Sequence, residues 1–415
     1  MNIYKSYKLI QFLNRRHSFF LRYTLGSGAW IISILLLRSQ SLARLLFKEF
    51  VNDDFRLAFR RTAWLSQHYN PNIKLFNDQF FDFTMGTSKE QRQHLSRLID
   101  RTYSSRDKTT YLTDKLYIIA ADIHEELEKE QSEQTKDKIK IFYDIAGEVL
   151  SLISIKTITE KKTTPERKDD FSIEHAIQAL QDFSVSLPID KWPWYVVSGT
   201  FLGLHRDGGF LAHDYDIDVG INAEDILVPE LVNIFENHPT FTIKKIDEHI
   251  EIIKTMDGQL KLSRIPALIK LVHKNGLNLD VFIHHTANGK TWHGSIIHRW
   301  ENTPFELVRR NLAGLEVNTP KNADLYLTEN YGDWSKPVKD FDCTTGTPNL
   351  VVSPNFLSIV LFLKRLANYS KTDNHQAESL KTVLINSNII KNKDNKLNIV
   401  ETFLPMKTTK NSPPG

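Results

Sequence analysis

Three aspartates are the residues in this chain best suited to chemistry. Asp216 and Asp218 stand two apart in the run Asp216-Ile217-Asp218-Val219-Gly220. Side chains alternate faces along a strand, so the two carboxylates project together while Ile217 and Val219 turn to the core. Two like charges held this way need a shared cation or a raised pKa. Magnesium is the first choice, because it prefers hard oxygen ligands and few carboxylates and leaves room for substrate phosphate oxygens. A third acid, Asp280, sits in the apolar run Leu279-Asp280-Val281. Buried strand acids are rare unless paired or metal-bound. If its strand lies beside that of Asp216 and Asp218, Asp280 completes a metal cluster or takes the proton of an acceptor. Upstream, Ser198-Gly199-Thr200 ends a strand and opens a helix. A turn of small residues there exposes backbone N–H groups and the positive helix terminus to a phosphate. Arg206, roughly one and a half helical turns further on, is the basic group available for a second phosphate oxygen.

These side chains need a sheet with helices around it, and the surrounding pattern predicts one. Phe171 to Leu187 reads as an amphipathic helix ending before Pro188, Trp194 to Val197 as a short strand and Ile217 to Ile221 as a second. A helix from Val228 to Glu236 carries Pro229 in its first turn. Strands follow near Phe241–Ile246, His249–Thr255, Gln259–Arg264 and Leu277–His285, with Asp257-Gly258 and Asn288-Gly289 as hairpin turns. Pro320, Pro337, Pro348 and Pro354 mark a more irregular segment, and Asn355 to Tyr369 reads as a final helix. The fold class is therefore α/β (α+β), a mixed sheet flanked by helices. Before it, Phe50 to Ile158 has helical periodicity in Leu95, Leu98 and Ile99 and in Leu116, Ile119, Ala120, Ile123 and Leu127. Residues 159–170 lose that periodicity and read as a linker. The organisation expected is a basic segment over 1–48, a helical region over 49–158, a catalytic domain over 171–370 and a partly disordered extension over 371–415.

Composition narrows the partners. The 415 residues are 41% hydrophobic and 25% charged, an ordinary globular balance that excludes a wholly disordered or fibrous chain. A single cysteine, Cys343, rules out an intrachain disulfide and fits a reducing compartment. Of the net charge of +3, the first 48 residues hold +8, from Lys5, Lys8, Arg15, Arg16, Arg22, Arg38, Arg44 and Lys48 with no acid. The rest of the chain is net acidic, which argues against a nucleic-acid partner. The uncharged run from Tyr23 to Leu37 has 15 residues, where a bilayer core needs about 20. With Trp30, Phe12, Phe19 and Phe20 among the bases, the segment reads as an interfacial element against an anionic membrane surface, with a buried core helix or a short span as alternatives.

An Asp-x-Asp pair alone is a weak signal, since turns and calcium loops contain it; the order of features carries more. Small-residue turn, basic residue, paired aspartates and a later strand aspartate resemble the polymerase-beta-like nucleotidyltransferase superfamily. The string Ser198-Gly199-Thr200-Phe201-Leu202-Gly203-Leu204-His205-Arg206-Asp207-Gly208-Gly209-Phe210, followed by Asp214-Tyr215-Asp216-Ile217-Asp218-Val219-Gly220, resembles the LicD/fukutin family. Val317 to Pro320, Tyr326-Leu327, Tyr331-Gly332-Asp333-Trp334 and Pro337 are similar to that family's closing pattern. His213 stands where a Trp is common and Tyr215 where a further Asp is common. The resemblance spans Trp194 to Val338.

It implies a nucleotidyltransferase-like fold and a transferase that passes a phospho-substituent (phosphocholine, or ribitol or glycerol phosphate) from a CDP-linked donor to a sugar hydroxyl, releasing CMP. The acceptor would be a surface glycan or lipid-linked saccharide, as in lipopolysaccharide or capsule biosynthesis. Asp216, Asp218 and Asp280 would hold Mg2+, or Mn2+, and Ser198, Gly199, Thr200, Arg206 and Asp214 would bind substrate. The expected location is the cytoplasm at the inner membrane face, or a Golgi-type lumen in a eukaryotic cell. Two other readings stay open: nucleotidyl transfer to a small hydroxyl substrate, and a glycan-binding scaffold without catalysis.

The remaining chemistry-bearing residues read as structural. His284, His285, His293 and His298 could converge as a zinc site requires, but no spacing matches a zinc signature, and exposed or hydrogen-bonded histidines are the simpler reading. Trp292, Trp300 and Trp334 read as core residues rather than sugar-stacking ones, and Cys343 as a passive thiol.

Overall fold

The computed structural model describes residues 88–102, 108–130, 132–154 and 172–401, apart from ten positions (212, 213, 215, 338–340, 342, 346, 394 and 395), and a few positions between 24 and 35. The segment over 1–48, most of 49–87, the linker over 159–170 and the tail from 402 therefore lie outside the described residues in whole or in large part. Among the described residues no helix is long and apolar enough to cross a membrane. The chain divides into two compact units, residues 1–152 and 153–415.

Among the described residues from 88 to 152 the helical periodicity becomes α1 (Lys89–Thr102), α2 (Lys108–Glu128) and α3 (Ser132–Leu152). Leu116, Ala120, Ile123 and Leu127 of α2 are buried with Phe142, Ala146 and Val149 of α3, a stripe at helical spacing meeting its counterpart. Arg92 on α1 is buried and bonds Asp122 at 2.6 Å and also Glu125, so its charge is matched twice by α2.

The second unit begins with α4 (Ile173–Ser186), whose first turn is capped by the Ser172 hydroxyl accepting from His175 N–H. Then come β1 (Tyr195–Val196), α5 (Ser198–Asp207), β2 (Asp216–Asn222) and α6 (Val228–Glu236). The strands β3 (Phe241–Lys254), β4 (Leu260–His273), β5 (Asn278–Ala287), β6 (Lys290–Gly294), β7 (His298–Asn302), β8 (Leu307–Leu312) and β9 (Leu315–Pro320) follow. The chain continues through α7 (Ala323–Tyr331), β10 (Leu350–Val352), α8 (Phe356–Thr372), α9 (Asn374–Asn386) and the hairpin β11 (Ile390–Lys393) with β12 (Lys396–Ile399). Ten strands join in one mixed sheet in the order β10-β7-β6-β5-β2-β1-β9-β8, with β4 paired to β5 and β3 to β4. Two of its pairs are parallel, β2 to β5 and β1 to β9, while β1 and β2 between them and the hairpins are antiparallel.

Ile217 and Val219 of β2 and Leu279 and Val281 of β5 are buried in the core with Trp194, Tyr195 and Phe201, as strand alternation requires. Phe183 of α4 packs edge-on to Trp194 with centroids 5.3 Å apart and stacks on Phe235 of α6 at 5.9 Å, pinning both helices to one face.

Two expectations about strands need correction. The strands expected at 241–246 and 249–255 are one strand, β3, with register shifts between Ile243 and Lys245 and between Asp247 and Glu248. The strand expected to stop at Arg264 runs on to His273 through Pro266. Pro266 faces Glu248 at the second shift, where the ladder is already interrupted and a missing N–H costs little. The segment that Pro320 to Pro354 marks as irregular contains α7 and β10, and β6 to β9 before it, short strands whose charged residues hide the alternation, were not expected. Residues 374–399, within the expected C-terminal extension, form α9 and the β11–β12 hairpin.

Asn355 ties the last helices to the sheet. Its Nδ2 donates to Ile250 O at 2.7 Å and Ile296 O at 2.8 Å, while its Oδ1 caps α8 by accepting from Ser358 N–H at 2.8 Å. The side chain is fully buried. Asn355→Ala strands two carbonyls and one amide and should cost about 3 kcal/mol of unfolding free energy in urea titration.

Candidate active site

The site grows from one junction. β1 is two residues long, and the chain turns at once into α5 through Ser198, whose φ of +48° is left-handed. Val197 N–H bonds Asp218 O at 3.1 Å, and Phe201 N–H, the first helical donor, bonds Val197 O at 3.0 Å. The N–H groups of Ser198, Gly199 and Thr200 thus precede the helical ladder, where a helix presents its free donors. Thr200 is buried, and its hydroxyl accepts from Asp218 N–H at 2.9 Å, fastening the helix start to β2. A Cβ on Gly199 would stand 2.7 Å from Asp214 Oδ2, so only glycine lets that carboxylate approach the turn.

On the sheet, β2 and β5 run parallel with Asp218 opposite Asp280 and Asp216 opposite Asn278. One oxygen from each of Asp216, Asp218 and Asp280 lies within 4.8 Å of the others. Burial comes first in raising all three carboxyls, and mutual repulsion adds to it at two of them: Asp216 is pushed up to about 7 by burial, Asp280 and Asp214, and Asp218 well above its ordinary range by burial, Asp216, Asp280 and Asp214. Asp280 is raised by burial against the opposing pull of Lys270, which stands directly across from it on β4 and bonds its Oδ2. The other oxygen, Oδ1, is buried and has no hydrogen-bond partner among the described residues. An orphaned carboxylate oxygen beside two more carboxylates is a donor set that fits a hard divalent cation.

The structure therefore brings together Asp214, Asp216, Asp218, Asp280 and the turn Ser198-Gly199-Thr200. Arg206 has other company. Its guanidinium bonds Asp207 through Nε at 2.9 Å and Nη2 at 3.0 Å and reaches Trp334 O at 3.5 Å. It lies at the last turn of α5, about 12 Å of helix rise from Ser198. Through it and His205, whose ring meets Trp334 edge-on at 5.1 Å, the two halves of the sequence motif touch. Sequence reasoning missed Lys270 and Lys244. Lys244 donates to Asn278 Oδ1 at 3.1 Å, and both lysines act electrostatically on Asp216. The available signal was a lysine alternating with apolar residues in Leu268-Ile269-Lys270-Leu271, but its partner depends on β4–β5 register. Tyr326 and Tyr331 of α7 lie near enough to Asp218 that, after burial, its charge helps push both phenols up.

Three of the four histidines are core residues, and His285, half-buried, meets Pro266 O through Nε2 at 2.7 Å. His284, His293 and His298 are buried rather than exposed; His284 and His293 have ring centroids 4.7 Å apart, and His298 Nε2 meets Arg365 at 2.8 Å. Burial holds His293 down at about 4 and His298 at about 3, so both are neutral. Among the described residues, the aspartate trio is the group of three or more acids, histidines or cysteines with converging ligand atoms, so no zinc set forms there. Trp292 is buried between His285 and Arg299, Trp300 and Trp334 are half-buried, and Cys343 is exposed.

Cation binding and proton loss are coupled here. Mn2+ affinity should rise from pH 5.5 to pH 8 as Asp216 ionises through about 7, and calorimetry in buffers of different ionisation enthalpy should register proton release. With its folded value raised above the unfolded one, Asp216 favours folding at low pH, and that benefit is lost as pH rises through about 7. Asp216→Asn should therefore raise the Tm by a few degrees at pH 8 in EDTA and leave it unchanged at pH 4.

Known proteins match this region. Residues 191–322 match the family model described as the LicD/FKTN/FKRP nucleotidyltransferase domain. The Ribitol-5-phosphate transferase FKTN of Mus musculus is 25% identical over 190 residues, 44% of this chain and 36% of that protein. That of Homo sapiens is 25% identical over 170 residues, 39% of this chain and 33% of that protein. The matched stretch thus spans about a third of the length of these relatives. It holds the turn at Ser198, the three aspartates and the lysine pair, and residues 191–322, about a third of this chain, are similar to the LicD/fukutin family of nucleotidyltransferase domains.

Proposed function

We propose that this protein moves a phospho-substituent, ribitol phosphate first among the candidates, from a CDP-linked donor to a sugar hydroxyl of a glycan, with release of CMP. The observation that carries the reading is the meeting of three carboxylate oxygens within 4.8 Å beside a helix start whose N–H groups lie outside the ladder. Phosphoryl-type transfer asks a protein for positioning and charge neutralisation more than for covalent chemistry, and these groups supply both. The family match and the names of the two relatives support transferase activity on a ribitol phosphate; the donor and acceptor are our reading.

Asp216, Asp218 and Asp280 would hold Mg2+ or Mn2+. When bound, the ion supplies charge neutralisation for the donor's diphosphate. The chain's own groups do the rest. Ser198, Gly199 and Thr200 N–H donate to a phosphate oxygen, held in place by the Thr200 hydroxyl under Asp218 N–H. Asp280, with one oxygen on Lys270 and the other unpartnered, suits a ligand better than a proton acceptor. Asp214 shapes the mouth of the turn through its contact with Gly199. The acceptor hydroxyl oxygen forms the new bond to phosphorus as the bond to the CMP phosphate oxygen breaks, and the hydroxyl proton passes to the departing CMP phosphate or to water. The basic segment over 1–48 would bring the enzyme to an anionic membrane surface where a lipid-linked acceptor lies, at the cytoplasmic face or in a lumenal glycosylation compartment.

Two measurements check this reading. Wild type with Mg2+ and CDP-ribitol, CDP-glycerol or CDP-choline in turn should release CMP with one of them. The double variant Asp216→Asn/Asp218→Asn should lose about a thousandfold or more in rate while staying folded. Pyrophosphate in place of CMP would indicate nucleotidyl transfer, and glycan binding without either product a scaffold. Deleting residues 1–48 should abolish sedimentation with anionic liposomes; unchanged sedimentation removes the membrane claim.

A further inference from the structure

The hairpin β3–β4 contributes nothing to the acidic cluster, yet it lays two lysines along it. Lys270 stands across from Asp280 in the β4–β5 register, with its ammonium on Asp280 Oδ2. The lysine side chain is 34% exposed against 5% for the carboxylate, so the ammonium lies at the border between the buried acids and open solvent. Lys244 on the neighbouring strand is exposed and donates to Asn278 Oδ1 at 3.1 Å, and Asn278 is the register partner of Asp216. Each ammonium carries three donors, and one of the three is used in each of these contacts. Two cations therefore stand at successive levels of the sheet, one beside the Asp280–Asp218 row and one beside the Asn278–Asp216 row. Arg206, the cation that the sequence offers for a phosphate, is meanwhile taken by Asp207 and by Trp334 O.

A surface lysine pair has a bland explanation, relief of carboxylate repulsion, and Lys270 does serve Asp280 in that way. That explanation reaches Lys244 only through space, by its pull on Asp216 and Asp280. Its bond goes to a neutral amide, and an exposed lysine gains little by lying there. The acids Asp214, Asp216, Asp218 and Asp280 bring at most four negative charges, half of which a divalent ion alone would leave unmatched, and two further cations on the same edge offset the rest. They are suited to a ligand that brings several negative charges of its own.

We infer that Lys270 and Lys244 are phosphate-binding residues of this site, taking the oxygens of the donor's diphosphate on the side of the cation set opposite the Ser198–Thr200 turn. The inference rests on the function proposed above for the donor's identity, but not for the phosphate chemistry. In it, Lys270 keeps one N–H on Asp280 and gives another to a phosphate oxygen, and Lys244 gives a second charge further along the same edge.

The test is calorimetry on the full chain, wild type against Lys270→Gln, Lys270→Arg and Lys244→Gln, with three titrants: Mn2+ alone, then CDP-ribitol and inorganic pyrophosphate, each in the presence of Mn2+. Lys244→Gln is an exposed change that leaves the fold intact, so the inference does not depend on the stability of the Lys270 variants. Expected are a tenfold or greater loss of CDP-ribitol and pyrophosphate affinity in Lys270→Gln, a severalfold loss in Lys244→Gln, and recovery to within about threefold of wild type in Lys270→Arg, with Mn2+ affinity in both Gln variants equal to wild type or tighter. Unchanged phosphate-ligand affinity in both Gln variants overturns the inference. So does a loss of Mn2+ affinity as large as the loss of phosphate affinity, because it makes the lysines supports for the carboxylates only. Wild type that binds pyrophosphate but not CDP-ribitol defeats the proposed donor and leaves the lysine assignment standing on the pyrophosphate arm; wild type that binds neither defeats both.

Discussion

Three aspartates on adjacent parallel strands repel one another, and the second unit is built around holding them there. Carboxylate oxygens within 4.8 Å of each other, at the effective dielectric of a protein surface, cost about 3 kcal/mol for each ionised pair. A chain under no functional constraint would separate such groups. Here the parallel register fixes Asp218 beside Asp280, and the pleat puts Asp216 on the same face as Asp218. The strain is met in two ways: the carboxyls are driven toward the protonated form, and Lys270 is set against the most buried of them.

Much of the neighbouring architecture follows from that constraint. The aliphatic residues that alternate with the acids, Ile217, Val219, Leu279 and Val281, pack with Trp194 and Phe201, so the acidic face is backed by a fully buried apolar one. The same strand that carries Asp216 and Asp218 receives the start of α5 through Thr200, which gives the helix terminus a fixed height above the cluster. Negative charge at the strand and positive potential at the helix end then lie side by side, an arrangement that accommodates both a cation and the phosphate it neutralises. The long β3–β4 hairpin borders the site from the other side with its lysines, and its two bulges let a fourteen-residue strand bend with the sheet.

What could be read from the sequence was local. Alternation alone placed Asp216 and Asp218 on one face, the small-residue turn located the start of α5 at Ser198, and the bounds of α6, Val228 to Glu236, followed from Pro229 and the apolar spacing. Asp280 was recognisable as an anomaly in an apolar strand, although its place beside Asp218 waited on the parallel pairing of strands sixty residues apart. Lys270 and Lys244 were out of reach for the same reason: a lysine in a strand has no partner until its register is known. Pro266 misled because a proline in a strand reads as an ending, and only the bulge opposite Glu248 shows that it need not be one. Arg206 was read by type rather than by neighbour, and its neighbour is Asp207.

The central claim is that Asp216, Asp218 and Asp280 share a divalent cation at the mouth of α5. Anomalous diffraction from crystals of the protein grown with Mn2+ and CMP tests it most directly. The account predicts one strong manganese peak about 2.1 to 2.2 Å from an oxygen of each of the three aspartates, with a CMP phosphate oxygen completing the shell. Manganese bound elsewhere in the crystal with no peak among these three carboxylates would contradict it.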